Sequence, residues 1–196
     1  MESAESSWSN TLNFALEALT ESFEDTPAFS WESSGDADWF TTSDYANTGF
    51  LSMSSGQIGD NSESSIEVNV DVIQDGSIGF TYRVSSEYSP SENNFYDGLT
   101  FSIDDEDFQY QTNSDGSSPW NSVSFSLNSG QHTLSWMYSK DGGGGSTDCD
   151  NTNCDDAAFI DDFVMYSYID SEPILTGDLN FDTQIDILDV VLLVNF

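Results

Sequence analysis

The chain has 196 residues, of which 36 are acidic and 2 are basic, so its formal net charge is −34. Like-charge repulsion excludes nucleic acid and anionic membranes as partners, whereas divalent cations and a salty exterior suit such a surface. Hydrophobic residues make up 37% and aromatic residues 14%, which is enough for a folded core. No run of 18 or more apolar residues is present, so the sequence predicts no membrane insertion.

The first segment, residues 1–22, differs in texture from the rest of the chain. Trp8, Leu12, Leu16 and Leu19 recur at helical spacing, which predicts a short amphipathic helix. This helix either packs on the following domain or links it to a preceding one. The segment lacks the basic and apolar regions of a signal peptide, so the expectation of an extracellular location depends on composition instead.

Residues 23–168 consist of short apolar runs separated by turn residues. Apolar and polar residues alternate in IEVNVDV, IGFTYRV and VSFSL, which is typical of strands with one buried face. Turn signals such as Asp75-Gly76 and Ser129-Gly130 separate these runs. We therefore predict an all-β fold, an antiparallel jelly-roll sandwich. The predicted strands are 49–54, 64–72, 77–85, 98–104, 108–112, 120–127, 131–139 and 157–168.

A loop rich in glycine and aspartate, residues 140–156, is the longest irregular stretch and a candidate functional loop. Cys149 and Cys154 lie close together in it, and we predict that they form a disulfide, since the composition is typical of extracellular proteins. The alternative is two free thiols. The oxygen-rich residues 148–156 either bind calcium or form a solvated hairpin tip.

Two adjacent carboxylates, Asp161 and Asp162, interrupt the apolar pattern of the last strand, residues 157–168. We expect at least one of them to point inward. A buried carboxylate is costly unless it is paired or binds a metal. Because the chain offers only Arg83 and Lys140 as cationic partners, the sequence favours a metal ion.

The C-terminal residues 177–196 carry an acidic loop followed by an apolar helical stripe. Oxygen-bearing residues occupy positions 1, 3, 5, 9 and 12 of this loop, and position 7 offers a backbone carbonyl, which is the spacing of an EF-hand calcium loop. The tail resembles one repeat of a dockerin type I module, and the resemblance implies calcium ligation. The alternative is a solvated acidic turn before a packed helix. The predicted ligands are Asp178, Asn180, Asp182, Gln184, Asp186 and Asp189.

A second resemblance covers residues 23–168. Its opening is Phe23-Glu24-Asp25 with Trp31 and Asp38-Trp39, its later strands are 120–123 and 130–136, and its closing strand is DAAFIDDF. These stretches resemble MAM-like jelly rolls of the bacterial adhesin type, in which the first and last strands lie side by side. The resemblance implies a calcium site that joins them; alternatively, Asp161 or Asp162 faces solvent or caps backbone amides. The implied ligands are Glu24, Asp25, Asp156, Asp161 and Asp162.

Ligand recognition is predicted from aromatic residues beside Asn and Asp, because jelly rolls often bind sugars in this way. The candidates are Tyr88, Tyr96, Tyr110 and Trp120, and the alternative for each is a core or rim position. Catalysis has little support: His132 fits a strand pattern and is interpreted as structural, and the chain has neither a phosphate loop nor a nucleophile elbow.

These observations predict a non-catalytic, calcium-stabilised adhesion or carbohydrate-binding module of a larger secreted or cell-surface assembly. The alternative is a structural subunit of an extracellular filament or surface layer, assembled through its terminal segments. Calcium is the expected cofactor, and a glycan or a neighbouring protein subunit is the expected partner. The predicted organisation is a helical segment or linker (1–22), a sandwich domain (23–168), a linker (169–176) and a dockerin-like calcium loop and helix (177–196).

Overall fold

A computed structural model describes residues 16–88, 96–111, 118–143, 149 and 154–168. Within these residues, antiparallel strands form two sheets. The first sheet has the order β3-β4-β11-β6-β9, with β1 also paired to β11, and the second has the order β2-β5-β10-β7-β8. The strands are β1 (Leu16–Glu21), β2 (Glu32–Gly35), β3 (Phe40–Thr42), β4 (Ser52–Ser54), β5 (Glu63–Val72), β6 (Gly76–Ser85), β7 (Gly98–Ile103), β8 (Glu106–Tyr110), β9 (Asn121–Leu127), β10 (Gly130–Ser139) and β11 (Ala157–Tyr168).

The predicted all-β class and antiparallel sandwich are confirmed. Alternating burial along β5 leaves every second side chain facing the other sheet, as period-two patterning requires. Aromatic rings fill the space between the sheets: the ring centroid of Phe101 lies 4.9 Å from that of Trp136 and 4.8 Å from that of Phe80. Trp136 in turn packs edge-on against Phe163 of β11. The core therefore joins β6, β7, β10 and β11 across the two sheets.

The helix predicted for residues 1–22 is wrong for residues 16–21, which form β1. This strand pairs with β11 along its whole length, from Leu16 opposite Tyr168 to Glu21 opposite Phe163. Pairing with β11 satisfies the backbone groups that a helix would have satisfied internally. Residues 1–15 lie outside the described residues. The first and last described strands thus lie side by side, as the resemblance implied.

Two short strands were not predicted from the sequence. All four residues of β2 are exposed, and β3 has a single buried residue, so neither carries the alternation that identifies a half-buried strand. Both lie at sheet edges. The expected linker, residues 169–176, and the expected calcium loop and helix, residues 177–196, lie outside the described residues. Among the described residues, no helix is long and apolar enough to cross a membrane.

Candidate functional site

Three carboxylates hold a loop, residues 43–51, against the outer face of the first sheet. Glu24 Oε1 accepts hydrogen bonds from the backbone N–H groups of Phe50 (2.6 Å) and Leu51 (2.7 Å). Asp161 Oδ2 accepts from the N–H groups of Asn47 (2.8 Å) and Thr48 (3.2 Å). Asp162 accepts from the Asn47 side-chain amide (2.7 Å) and the Thr48 hydroxyl (2.5 Å). We call Glu24, Asp161 and Asp162 the carboxylate clamp.

A β-bulge explains why two carboxylates fit into β11. The pairing of β11 with β6 shifts register between Asp161 and Val164, and Asp162 adopts a positive φ of 50°. This lets Ile160 and Phe163 both reach the core while Asp161, which is fully buried, lies beneath the loop. Burial raises the pKa of Asp161, and its hydrogen bonds from three backbone N–H groups oppose this rise.

The structure therefore brings together Glu24, Asp161 and Asp162, three of the five residues implied as ligands of the calcium site. Asp25 is exposed, and Asp156 lies five residues before Asp161, just before β11 begins, with other partners. Asp161 is the expected inward carboxylate, and backbone amides satisfy it in the way that the capping alternative described. Calcium binding at this clamp stays a prediction.

Gly49 allows the loop to approach the clamp. Its φ is +65°, and a Cβ at this position would lie 2.3 Å from Glu24 Oε1. Any larger residue would push the Glu24 carboxylate away from the N–H groups of Phe50 and Leu51. The glycine is therefore required by both the backbone conformation and the contact.

Beside the clamp, an arginine lies beneath the same loop. The Arg83 guanidinium lies 3.8 Å from the centroid of the Tyr45 ring and donates to Asp155 at 3.0 Å. The Tyr45 hydroxyl donates to the other Asp155 oxygen at 2.8 Å. The hydrogen bond to Asp155 and burial both raise the pKa of Tyr45. The loop is thus held from one side by carboxylates and from the other by a cation–π contact.

A second group of carboxylates lies where β6 ends and β7 begins. Glu87 and Asp97 are buried, Asp141 is exposed, and one carboxylate oxygen from each lies within 4.8 Å of the others. Burial raises the pKa of Asp97 to about 6, although its hydrogen bond from the Asp141 N–H opposes the rise. We call this end of the sandwich, at which β6, β8 and β10 end, the loop end. Sequence reasoning missed this cluster.

Lys140 lies beside this cluster and pairs with Asp156. The Tyr138 hydroxyl donates to the other Asp156 oxygen at 2.9 Å. Burial lowers the pKa of Lys140. The hydrogen bond to Asp156 and the charges of the nearby carboxylates together raise it by a larger amount, so the net shift is upward. Asp156, predicted as a calcium ligand, is thus placed against a lysine at the loop end.

The four predicted ligand-binding aromatics lie at or beside strand ends that meet at the loop end. Tyr88 follows β6, Tyr96 precedes β7, Tyr110 ends β8 and Trp120 precedes β9. Each of the four is half-buried. The Tyr110 ring lies 4.3 Å from that of Tyr82, between the two sheets, and burial raises the pKa of Tyr110 to about 12.

The two remaining predicted sites are the disulfide and the C-terminal calcium loop. The structure joins Cys149 and Cys154 in a disulfide at the loop end. The ligands predicted in the C-terminal loop lie outside the described residues, so their arrangement stays a prediction; they are Asp178, Asn180, Asp182, Gln184, Asp186 and Asp189.

Comparison with known proteins shows the fold and no family. No protein-family model matches the chain, and no curated protein matches it significantly. A cleaved adhesin domain of Lys-gingipain from Porphyromonas gingivalis superposes with a TM-score of 0.51 at 13% identity, covering 77% of this chain and 98% of that domain. At this identity the likeness establishes the sandwich architecture alone.

Two further solved structures are similar at lower TM-scores. The CBM22-1 xylan-binding domain from Paenibacillus barcinonensis gives 0.48 at 15% identity, covering 78% of this chain and 96% of that domain. A family 35 carbohydrate binding module from Clostridium thermocellum gives 0.42 at 14% identity, covering 77% of this chain and 98% of that module.

Proposed function

We propose that this chain is a non-catalytic, extracellular module that binds carbohydrate or mediates adhesion, with calcium stabilising its fold. The observation that supports this role best is that half-buried aromatic residues and carboxylates lie at the same end of the sandwich, the loop end. Sugar rings stack on aromatic faces, and their hydroxyl groups hydrogen-bond to carboxylates and amides. The loop end supplies both kinds of group within one region.

The carboxylate clamp supports the calcium part of the proposal. Its donors are all oxygen atoms, which suits a hard cation. The oxygens of Glu24, Asp161 and Asp162 accept hydrogen bonds from the loop, but a carboxylate oxygen has more than one lone pair, so an ion can still bind. Within the described residues, both basic side chains pair with carboxylates outside the clamp. Calcium would neutralise the clamp and hold the loop on the sheet.

The C-terminal loop is proposed as a second calcium site on the strength of its ligand spacing. Its six ligands would clamp the following apolar helix, which then packs on the sandwich or is presented to a neighbouring subunit.

A glycan panel tests the binding role. We expect Trp120→Ala to abolish binding at the loop end, because stacking on an aromatic ring contributes much of the affinity for a sugar. Tyr166→Ala is the matched control, since Tyr166 is an exposed aromatic residue near the far end of β11. The proposal fails if no glycan binds the wild-type chain, and the loop-end site is overturned if both variants bind every glycan as well as the wild type.

Thermal melting with calcium and with chelator, at low and at high sodium chloride, tests the calcium role. A shift that persists in high salt indicates specific sites, whereas a shift that salt alone reproduces indicates screening of the −34 charge. Asp162→Ala should reduce the calcium-dependent shift of the sandwich. Asp178→Ala should leave that shift unchanged and remove a separate binding event seen by calorimetry.

A further inference from the structure

The outer face of the second sheet ends in an open-sided cavity of about 370 Å³, at the end opposite the loop end. Two cross-strand pairs of β5 and β10 form its floor: Asp71 lies opposite Gln131, and Asn69 lies opposite Thr133. The turn between β7 and β8 closes one side with Asp104. The volume lies within the range typical of small-molecule sites, roughly 300 to 1,000 Å³.

On the side of the cavity next to the turn, the polar groups of Asp104 and His132 already have hydrogen-bond partners within the protein. Asp104 Oδ1 accepts from the Thr133 N–H at 2.9 Å, and Asp104 Oδ2 contacts His132 Nδ1 at 2.6 Å. The second ring nitrogen of His132 lies 2.9 Å from the backbone oxygen of Asn128. Both partners of the imidazole are acceptors, so both ring nitrogens must donate, and the ring making these two bonds is an imidazolium. Its charge neutralises Asp104.

The floor of the cavity still offers hydrogen-bonding groups to a ligand. Asn69 Oδ1 accepts from the Thr133 hydroxyl at 2.8 Å, which leaves the Asn69 amide N–H groups as donors. Gln131 and Asp71 are exposed on the same face. The cavity thus presents the Asn69 amide as a donor, the Gln131 amide as both donor and acceptor, and the Asp71 carboxylate as an acceptor.

We propose that this cavity is a second binding site, which takes one neutral saccharide unit through its hydroxyl groups. Each sugar hydroxyl donates one hydrogen bond and accepts others, which matches the mixed set of Asn69, Gln131 and Asp71. The ligand class rests on the proposed carbohydrate-binding role, whereas the location rests on the cavity alone.

Charge argues against the other ligand classes. Asp71 and the net charge of −34 repel anions. A divalent cation needs six to eight oxygen ligands, usually several of them carboxylates, and here Asp104 is already occupied by His132 and Thr133, which leaves Asp71 alone. Both nitrogens of His132 are also engaged, so it is not available as a metal ligand.

His132 makes binding at this site dependent on pH. The hydrogen bond to Asp104 raises the pKa of His132, with a smaller contribution from Asn128. Other charged groups of the surrounding elements include Glu67 and Asp71 on β5, Asp105 in the turn, Glu106 and Asp107 on β8, and Asp75, whose Oδ1 accepts from the Ser129 N–H. Once the imidazolium loses its proton, one of its two hydrogen bonds is lost, and Asp104 is then held less firmly, through its bonds to the Thr133 backbone. Binding should weaken on the alkaline side.

The single histidine of the chain provides a local probe for this site. The experiment titrates methyl glycosides of neutral hexoses and pentoses into the protein and follows the His132 ring resonances by NMR. We expect at least one glycoside to shift these resonances. Gln131→Ala and Asp71→Asn should each weaken this binding about tenfold or more, the loss expected when a hydrogen bond to the ligand is removed. Gln109→Ala is the matched control, since Gln109 is exposed on β8 of the same sheet, outside the cavity.

The outcomes separate this site from the loop end. Binding that shifts His132 and survives Trp120→Ala supports a second site. Binding that Trp120→Ala abolishes, with His132 unmoved throughout, overturns the second site and leaves the proposed function standing. No binding of any glycoside or glycan overturns both. Glucosamine that binds more tightly than glucose, with an affinity that falls steeply with salt, overturns the neutral class in favour of a cation.

Discussion

Asp155 and Asp156 are adjacent in the sequence, and each binds one of the two basic residues of the chain. Asp155 accepts from Arg83 of β6, in the first sheet, at 3.0 Å, whereas Asp156 pairs with Lys140, which directly follows β10 of the second sheet. The two residues just before β11 therefore bond to both sheets. Since 36 acidic residues share 2 basic ones, the placement of both cations at this point joins the sheets where the chain enters its last strand.

Replacing Lys140 should destabilise the loop end. Lys140→Met leaves Asp156 without its cation beside Asp97 and Glu87, and we expect a loss of about 2 kcal/mol in the free energy of unfolding by urea denaturation. The double variant Lys140→Met with Asp156→Asn should recover part of this loss, because it removes the uncompensated charge. Equal stability of wild type and single variant would show that the pair contributes nothing.

Removing the buried carboxylate of the clamp should be more costly. Asp161→Ala leaves the N–H groups of Asn47, Thr48 and Asp162 without their acceptor, so we expect a loss of about 3 kcal/mol. Thermal melting in the presence of chelator measures this effect free of calcium. Asp25→Ala, an exposed acidic residue, is the control and should change stability by less than about 0.5 kcal/mol. A loss no larger than that of the control would contradict the hydrogen-bonding role.

Asp97 should make stability fall as pH rises. Its pKa is about 6 in the folded chain and about 3.9 when unfolded, so between these values the folded state binds more protons than the unfolded state. Stability attributable to Asp97 is therefore highest below about pH 4 and is lost as pH rises towards 6. Asp97→Asn keeps an acceptor for the Asp141 N–H and should stabilise the protein at pH 7 by about 1 kcal/mol. Melting curves at pH 4.5 and 7 compare the two proteins; an Asn variant that is less stable than wild type at pH 7 would overturn this explanation.

His132 should give a pH dependence of the same sign as that of Asp97, because its pKa is also raised, but at higher pH. Its pKa is raised, so the stability it adds is fully present below its unfolded value of about 6.5 and is lost as pH rises through the folded value. The pKa of Asp104 is lowered by the same pair, so the contribution also fades in acid. His132→Ala should lower the melting temperature at pH 6 and have a smaller effect at pH 9. An effect of equal size at both values would show that packing, rather than charge, explains it.

Several strands could be predicted from the sequence because their burial is periodic. β5 and β10 are each paired on both sides, and the alternation of buried and less buried side chains along them shows which face lies in the core. The edge strands β2 and β3 show no such alternation of buried and exposed residues. The leucines around β1 predict a helix because their spacings of three and four residues fit a helical face, whereas in the structure residues 16–21 pair with β11 as a strand.

The sequence by itself determined the strand-rich class, the acidic character, the shortage of basic residues relative to carboxylates, and the expectation that Asp161 or Asp162 lies buried. These properties follow from composition and from the alternation of apolar and polar residues along the strands, both of which can be read from the sequence alone. The tertiary structure alone decided that loop 43–51 supplies the partners of Asp161, that Glu87, Asp97 and Asp141 meet at one end, and that His132 bridges Asp104 and Asn128. Each of these contacts depends on which strands pair and in which register, and no local pattern encodes a contact between residues that lie far apart in the chain.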